Sequence, residues 1–588
     1  MASKFVESAQ EVIIHDAQID NVGRDQITYY NTIFKSPIRK EDHPILAILK
    51  PAKRSEYYHP RCMERTRESV FKDIYHWLDG MYPSPHFSNP QLIFSLAPDK
   101  HSTPNIMWIN GSPGTGKSAI ASSLVSYLCS RDRLGSFFFF VRGDDNLSDP
   151  TVLWRTVAYD LARFHSCLNE AIIAFLRRPG YRDADIQLHF ECMVMDALRK
   201  NHQRLSSAPP VIVLDALDEC GSDDYHSAQR RILLETLTRW SRLPRLFKLI
   251  VTSRNDRVPE SFYDPQICRK ITLETGDSVR DETHDDIRAF LRQRLNSIKP
   301  MLGLSPWWPG DVAINQLAKR AAGLFIWAET ALVFISEMRG NPTIKLQLVL
   351  SGDLGKQSEI IDNLYRNILN FSFKNCDEIA VSLFNAVAGA VIVAHVPLNI
   401  NDLLHFLGIA DEEGQRQLSA ILYSLSSVIE SDKVVRLRHI SFAEFLCDRN
   451  RCRDRRFVVN QREQHYTLAL ACLRTMNADL RFNICKLESS YVRNDDVPNL
   501  STRISACIPT RLSYACRYWA AHLCNMMCDE TGRDVLLDEV RVFFSTRLLY
   551  WLEVMSLIKE IPASSMVLLM AAQWLEVSTR LLLEWRCS

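Results

Sequence analysis

Eight residues, Gly111-Ser112-Pro113-Gly114-Thr115-Gly116-Lys117-Ser118, have the types and spacing to hold a chain of phosphates. Glycines let successive backbone N–H groups converge on phosphate oxygens, and a helix starting where the loop ends adds partial positive charge. Lys117 would reach the β- and γ-phosphates, and the Ser118 hydroxyl would ligate Mg²⁺. This chemistry needs a strand before the loop and a helix after it. The apolar run Ile106-Met107-Trp108-Ile109 predicts the strand. Residues Ala119–Cys129 predict the helix, with Ile120, Leu124, Val125 and Leu128 on one face. Ala119, its first residue, is grouped with residues 111–118 as nucleotide-binding.

Two further strand ends carry acid and base. Val211-Ile212-Val213-Leu214 runs into Asp215, then Ala216-Leu217-Asp218-Glu219-Cys220. Four apolar residues ending in an acid put Asp215 at the C-terminal tip of a buried strand, where open α/β sheets bind ligands. Asp215 would hold Mg²⁺ directly or through water. Glu219 is placed to orient or deprotonate a water for attack on a γ-phosphate, and Asp218 would assist either role. The run Phe247–Thr252 ends in Thr252-Ser253-Arg254. If that strand lies between the first strand and the Asp215 strand, its tip faces the γ-phosphate, and Arg254 would read whether that phosphate is present. The expected catalytic set is Lys117, Asp218, Glu219 and Arg254.

The elements that must position these residues follow from the pattern of apolar runs. Strands are expected at Ile106–Ile109, Gly135–Val141, Val211–Leu214 and Phe247–Thr252, separated by helices at Val152–Phe164, Leu188–Lys200 and Ala228–Ser241. Short continuous apolar strands alternating with helices indicate a three-layer α/β core with a parallel sheet covered on both faces. Before it, Arg65–Asp79 predicts a helix with a stripe of Val70, Ile74, Trp77 and Leu78. After it the chain reads as helical, with an edge strand at Lys433–His439 and a helix at Phe442–Leu446 that suit a winged-helix domain. The expected organisation is a β-prone leader (1–45), a helical segment (46–102), the nucleotide-binding core (103–275), a helical domain (276–350), a winged-helix domain (351–455) and a helical region (456–588). No internal period of 20–50 residues is visible.

Bulk composition narrows the class. At 588 residues several domains are expected, and 46% hydrophobic with 24% charged residues is ordinary globular composition. A formal net charge of +1 makes no electrostatic case for nucleic acid or an anionic membrane as partner. Sixteen scattered cysteines predict reduced thiols and a cytoplasmic location. Cys524 and Cys528 beside His522 lack the paired spacing of a structural zinc site and read as a helix face. No signal peptide is visible, and Ile561–Leu575 reads as a buried helix rather than a membrane anchor. The stretch Glu11–Tyr30 is β-prone. It fits either a strand pair docked on the body or a segment that stacks with copies of itself.

Taken together, GSPGTGKS (111–118), FFFFVR (137–142), VIVLDALDEC (211–220) and FKLIVTSR (247–254) make the chain resemble fungal NACHT proteins of the STAND class. These are signal-transduction NTPases that include NOD-like receptors; the nephrocystin-like NACHT modules are the narrower match. The resemblance continues in DDIRAFL (285–291), AAGLFIWA (321–328), RHISFAEFL (438–446) and NVGRDQI (21–27), and covers about residues 10–520.

That resemblance implies three more contacts. Gly323-Leu324 stands where the family has a Gly-x-Pro motif that packs on adenine, with Phe325 in place of the proline. His439 matches a winged-helix histidine that touches the β-phosphate of bound ADP in the closed state. Thr66-Arg67 match the helix start that borders the base, and Thr66 also suits an N-cap. Ala216 replaces a frequent glycine, with no loss of metal binding expected.

It also implies a switch driven by ATP or GTP, with ADP or GDP at rest, Mg²⁺ as cofactor and slow hydrolysis. Activation would bring self-association, gathering residues 10–34 to act on an unidentified effector in fungal self/non-self signalling. A motor-type ATPase and a non-hydrolysing scaffold remain the alternatives, and ATP versus GTP stays open.

Overall fold

Strands buried on both faces need apolar residues at every position, which is why the core strands read as unbroken runs rather than alternations. A computed structural model describes residues 43–52, 60–79 and 103–586, apart from 143, 145, 179–184, 222–226, 256–257, 338–339, 352–358, 375, 490 and 528. The N-terminal segment containing residues 10–34, and Cys528, lie outside the described residues. The chain divides into two compact units, one ending at Ala328 and the other beginning at Glu329. Each is described by itself.

The first unit is built on five parallel strands: β1 (Ile106–Gly111), β2 (Leu134–Phe139), β3 (Val211–Asp215), β4 (Lys248–Ser253) and β5 (Cys268–Leu273), in the order β2-β3-β4-β1-β5. β4 therefore lies between β1 and β3, the arrangement that the Arg254 expectation required. Helix α1 (Glu68–Asp79) precedes the sheet, and α2 (Lys117–Ser130), α3 (Leu153–Phe164), α4 (Ser166–Leu176) and α5 (Ser227–Arg239) lie between its strands in sequence.

Alternate strand residues feed two cores. Met107, Ile109, Val211, Val213 and Ile250 pack with Ile74, Trp77 and Leu78 of α1 and with Ile120, Leu124 and Leu128 of α2. Ile106, Trp108, Ile212, Leu214, Leu249 and Val251 pack on the other face with residues of α3, α4 and α5. The four phenylalanines split accordingly: the rings of Phe138 and Phe140 pair on one side, and those of Phe137 and Phe139 on the other. After β5, α6 (Asp281–Ile298), α7 (Asp311–Ala321) and α8 (Phe325–Ser336) follow.

Several expectations are corrected. β5 was not foreseen, because the half-buried Arg269 and the exposed Lys270 interrupt the apolar run, as suits an edge strand with one side open to water. The helix expected at Arg65–Asp79 begins only at Glu68, since Arg65 and Arg67 take positive φ angles of 64° and 59°. Thr66 does not cap that helix; its hydroxyl donates to the Met63 carbonyl at 2.7 Å.

In the second unit, side chains that favour caps mark where helices start. Asp377, Asn399, Asp411, Asn460 and Asp529 each accept a backbone N–H of the following turn, opening Glu378–Val393, Ile400–Phe406, Glu412–Ser424, Gln461–Asp479 and Glu530–Val542. The expected edge strand shortens to Arg436–Leu437, paired antiparallel with Ile429–Glu430, and helix Ile440–Cys447 follows. The last helix, Ile561–Arg586, is long and apolar enough over Ile561–Ser578 to cross a membrane by length and composition. Only 28% of that window is buried, so the helix packs on one side rather than being enclosed as expected.

Candidate phosphate-loop site

The phosphate loop leaves β1 at Gly111 and enters α2 at Lys117, so the loop ends on a helix N-terminus. Inside the loop, Thr115 Oγ1 donates to the Ser112 carbonyl at 2.9 Å. Gly114 has φ 81°, and a Cβ there would lie 1.9 Å from Ile326 Cγ2, so both the backbone and the packing of α8 demand glycine. The Lys117 ammonium donates to the carbonyls of Gly111 (2.7 Å) and Ser112 (3.0 Å). Burial pushes its pKa down, against the attraction of Asp218, Asp215 and Glu219. Arg254 acts on the same ammonium, so the loop and the tips of β3 and β4 converge on one locus.

Asp215 is fully buried at the end of β3. One carboxylate oxygen accepts the Thr252 hydroxyl, while Oδ2 has no hydrogen-bond partner in the protein. An orphaned buried carboxylate oxygen at the tip of a strand fits a hard divalent cation, which takes oxygen ligands and keeps waters. Ala216 takes φ 53° and ψ 47° and donates its N–H to Thr252 Oγ1 at 3.0 Å. The demand at this position is therefore a left-handed backbone, which explains why glycine suits it. Alanine meets it at a cost of about 1–2 kcal/mol.

Glu219 follows on the short helix Leu217–Glu219, and its carboxylate accepts the Arg142 N–H at 2.9 Å. Burial pushes its pKa up. Arg142, just past β2, was present in the FFFFVR run but carried no role at the sequence level. Asp218 accepts the backbone N–H of Arg254 at 3.1 Å and pairs with its guanidinium at 3.1 Å. Arg254 is thus held at the tip of β4 by a neighbouring carboxylate.

The segments flanking the core close on the loop. The Ile326 N–H donates to the Gly114 carbonyl at 3.0 Å. Arg67 Nη2 donates to the Thr115 carbonyl at 2.8 Å, and the guanidinium lies 5.0 Å over the Phe325 ring. Gly323 has φ 86°, and a Cβ there would meet the Glu274 carbonyl at 2.7 Å, so this glycine lets the turn before α8 press on the chain after β5.

His439 belongs to the second unit and is the N-cap of Ile440–Cys447. Its Nδ1 accepts the Ser441 N–H at 3.1 Å, so that nitrogen carries no proton. Ser441 Oγ, 2.7 Å from Nδ1, must then be a donor to it, and Tyr365 Oη, 2.7 Å from Oγ, a donor to Ser441. The chain of bonds leaves the ring proton on Nε2. His522 is engaged at both nitrogens, with Nδ1 2.8 Å from His465 Nδ1 and Nε2 2.9 Å from Tyr514 Oη. Among the described residues no group of three His, Cys, Asp or Glu is arranged to hold a metal ion.

Comparison with known proteins agrees with this geometry. Residues 93–254 match the family described as nephrocystin 3, N-terminal. The chain is 24% identical over 529 residues to the vegetative incompatibility protein HET-E-1 of Podospora anserina, covering 85% of this chain and 36% of that protein. It thus spans about a third of that relative's length. Among solved structures, a STAND protein with a tetratricopeptide repeat sensor from Pyrococcus horikoshii overlaps at TM-score 0.32 and 12% identity, covering 82% of this chain and 63% of that one. The ORC1 protein of Aeropyrum pernix, solved with DNA, overlaps at 0.28 and 15%, covering 70% and 97%. The sheet order and the loop, rather than these loose overlaps, establish a P-loop α/β core followed by a helical region. The chain is NACHT- and STAND-like.

Proposed function

We propose that this chain is a cytoplasmic signalling switch that binds ATP or GTP and hydrolyses it slowly. The observation that carries the reading is the sheet order, which sets the tips of β1, β3 and β4 side by side and with them the phosphate loop, Asp215 and the Asp218–Arg254 pair. The loop 111–118, with Ala119, would bind the phosphates through N–H groups and Lys117. Ser118 and Asp215 would hold Mg²⁺, whose charge would offset that developing on the transferred phosphoryl group. Glu219 would orient a water, and Arg254, held by Asp218, would sense the γ-phosphate. His439, donating from Nε2, would contact the β-phosphate of a resting diphosphate, and Gly323 with Phe325 would border the base. Loss of the diphosphate contact on exchange would bias a two-state element toward self-association. Assembly would raise the effective concentration of residues 10–34 and so engage an effector. The name of the Podospora relative supports a role in fungal self/non-self signalling.

The test is equilibrium binding of ADP, ATP, GDP and GTP with Mg²⁺ to the full chain. The wild type is expected to bind at least one triphosphate and its diphosphate. Lys117→Ala is expected to weaken that binding by about ten- to a hundredfold, the worth of a charge-assisted contact. Equal affinity in the two proteins would overturn the reading of the loop.

A further inference from the structure

A phosphate loop works only if its N–H groups point inward, and a planar trans peptide fixes each N–H opposite the preceding carbonyl. Holding the carbonyl therefore aims the amide. In this chain two consecutive loop carbonyls are held from outside the sheet: Gly114 by the Ile326 N–H and Thr115 by Arg67. The Thr115 carbonyl shares its peptide plane with the Gly116 N–H. The Arg67 bond thus turns the Gly116 N–H away from Arg67, toward the other side of the loop.

Arg67 is built into this position at some expense. It is only 4% exposed, and burial works against its charge. Its backbone takes the left-handed φ of 59°, which a non-glycine residue keeps only when its surroundings enforce it. The enforcing contacts come from α6: its N–H donates to Asp286 Oδ2 at 3.0 Å, and Nη1 donates to Thr283 Oγ1 at 3.2 Å. The guanidinium rests on Phe325, whose ring also meets Phe290 of α6 edge-on. Arg67 Nε is buried without a hydrogen-bond partner, so the side chain is not placed simply to satisfy its own donors.

We propose that Arg67 is a positioning residue for the phosphate loop: by holding the Thr115 carbonyl it presents the Gly116 N–H to bound phosphate. It also ties the loop's conformation to α6 and to the start of α8. The proposal rests on the reading of residues 111–118 as a nucleotide loop. The contact of Arg67 with the loop backbone is a role beyond the place beside the base that the family resemblance implies for Thr66-Arg67. Because its effect passes through one amide, it acts on phosphates as such and not on the nucleoside.

The experiment measures binding of ADP and of inorganic pyrophosphate, each with Mg²⁺, to full-length wild type, Arg67→Met, Arg67→Lys and Lys117→Ala, well below each protein's melting transition. Hydrogen exchange of the loop peptide is followed in the same samples. Arg67→Met is expected to lose about tenfold or more in affinity for both ligands, by a similar factor, with faster exchange in the loop. Arg67→Lys, which keeps the cation over Phe325 but has no fork to span Thr115 and Thr283, is expected to fall between the two. If Arg67→Met folds poorly, Arg67→Lys decides on the same criterion. Wild-type affinity for pyrophosphate in both Arg67 variants, with Lys117→Ala defective, overturns the proposal alone. Unchanged binding in Lys117→Ala overturns the loop reading and the proposal with it.

Discussion

Glu219→Gln is expected to slow release of the γ-phosphate by about 10²–10⁴-fold in single turnover, the usual range for loss of a general base. Affinity for the triphosphate should change little, because the amide keeps the shape of the side chain and still accepts the Arg142 N–H that holds the carboxylate. The sign of the pH dependence follows from burial, which pushes the Glu219 pKa above its ordinary value of 4.5. The working, deprotonated form is then lost on acidification earlier than for an exposed glutamate. The acid limb of the pH–rate profile should lie above pH 4.5 in the wild type and be absent in Glu219→Gln. Equal phosphate release by wild type and variant would favour the non-hydrolysing scaffold. Wild-type turnover of about 1 s⁻¹ or faster would favour a motor-type enzyme.

Mild acid is expected to loosen the helices Gln461–Asp479 and Thr510–Asn525 of the second unit. His465 and His522 face each other with their Nδ1 atoms 2.8 Å apart, so one must keep a lone pair. Protonating that nitrogen sets two N–H groups against each other. Burial pushes His465 down to about 4 from 6.5 and His522 well below 6.5, with nearby His395 adding to the effect on both. A histidine with a lowered folded pKa contributes stability above pH 6.5, and that contribution is lost as pH falls from 6.5 toward 4. His465 alone accounts for about 2 kcal/mol between pH 7 and 5 and on the order of 3 kcal/mol by pH 4. Amide exchange in the two helices should accelerate accordingly, and His465→Gln should blunt the response. Exchange in these helices that is independent of pH, after correction for intrinsic rates, would show that the pair is not held neutral by the fold.

The parts of this molecule that were legible in the sequence are those in which local composition and local structure agree. The apolar runs ending in Gly111, Asp215 and Ser253-Arg254 marked the strands and their tips, because a strand buried on both faces leaves no polar position; the place of β4 between β1 and β3 entered only as a condition, since an apolar run does not fix strand order, and the sheet meets it. Edge strand β5 escaped notice because Arg269 and Lys270 break its run. Helix α4 escaped because SCLNEAIIAFL is apolar around most of its circumference and shows no stripe. The contacts that complete the loop were hidden for a different reason. Arg67 donates to the Thr115 carbonyl, while Arg142 and Ile326 donate through their own N–H groups to Glu219 and Gly114 far away in sequence, and a backbone N–H or carbonyl leaves no signature in side-chain types. Ala216 shows the same limit: its side chain looked like a minor change, whereas its left-handed backbone is what the turn requires.

The central claim is that the presence of a γ-phosphate changes the state of the chain. It is tested most directly by measuring the mass of the full-length protein in solution, first with ADP or GDP and Mg²⁺, then after exchange for a non-hydrolysable triphosphate. The account predicts a single-chain mass with the diphosphate and a multiple of it with the triphosphate, and no such increase in Lys117→Ala. The same mass in both nucleotide states, with binding of both confirmed, would contradict it.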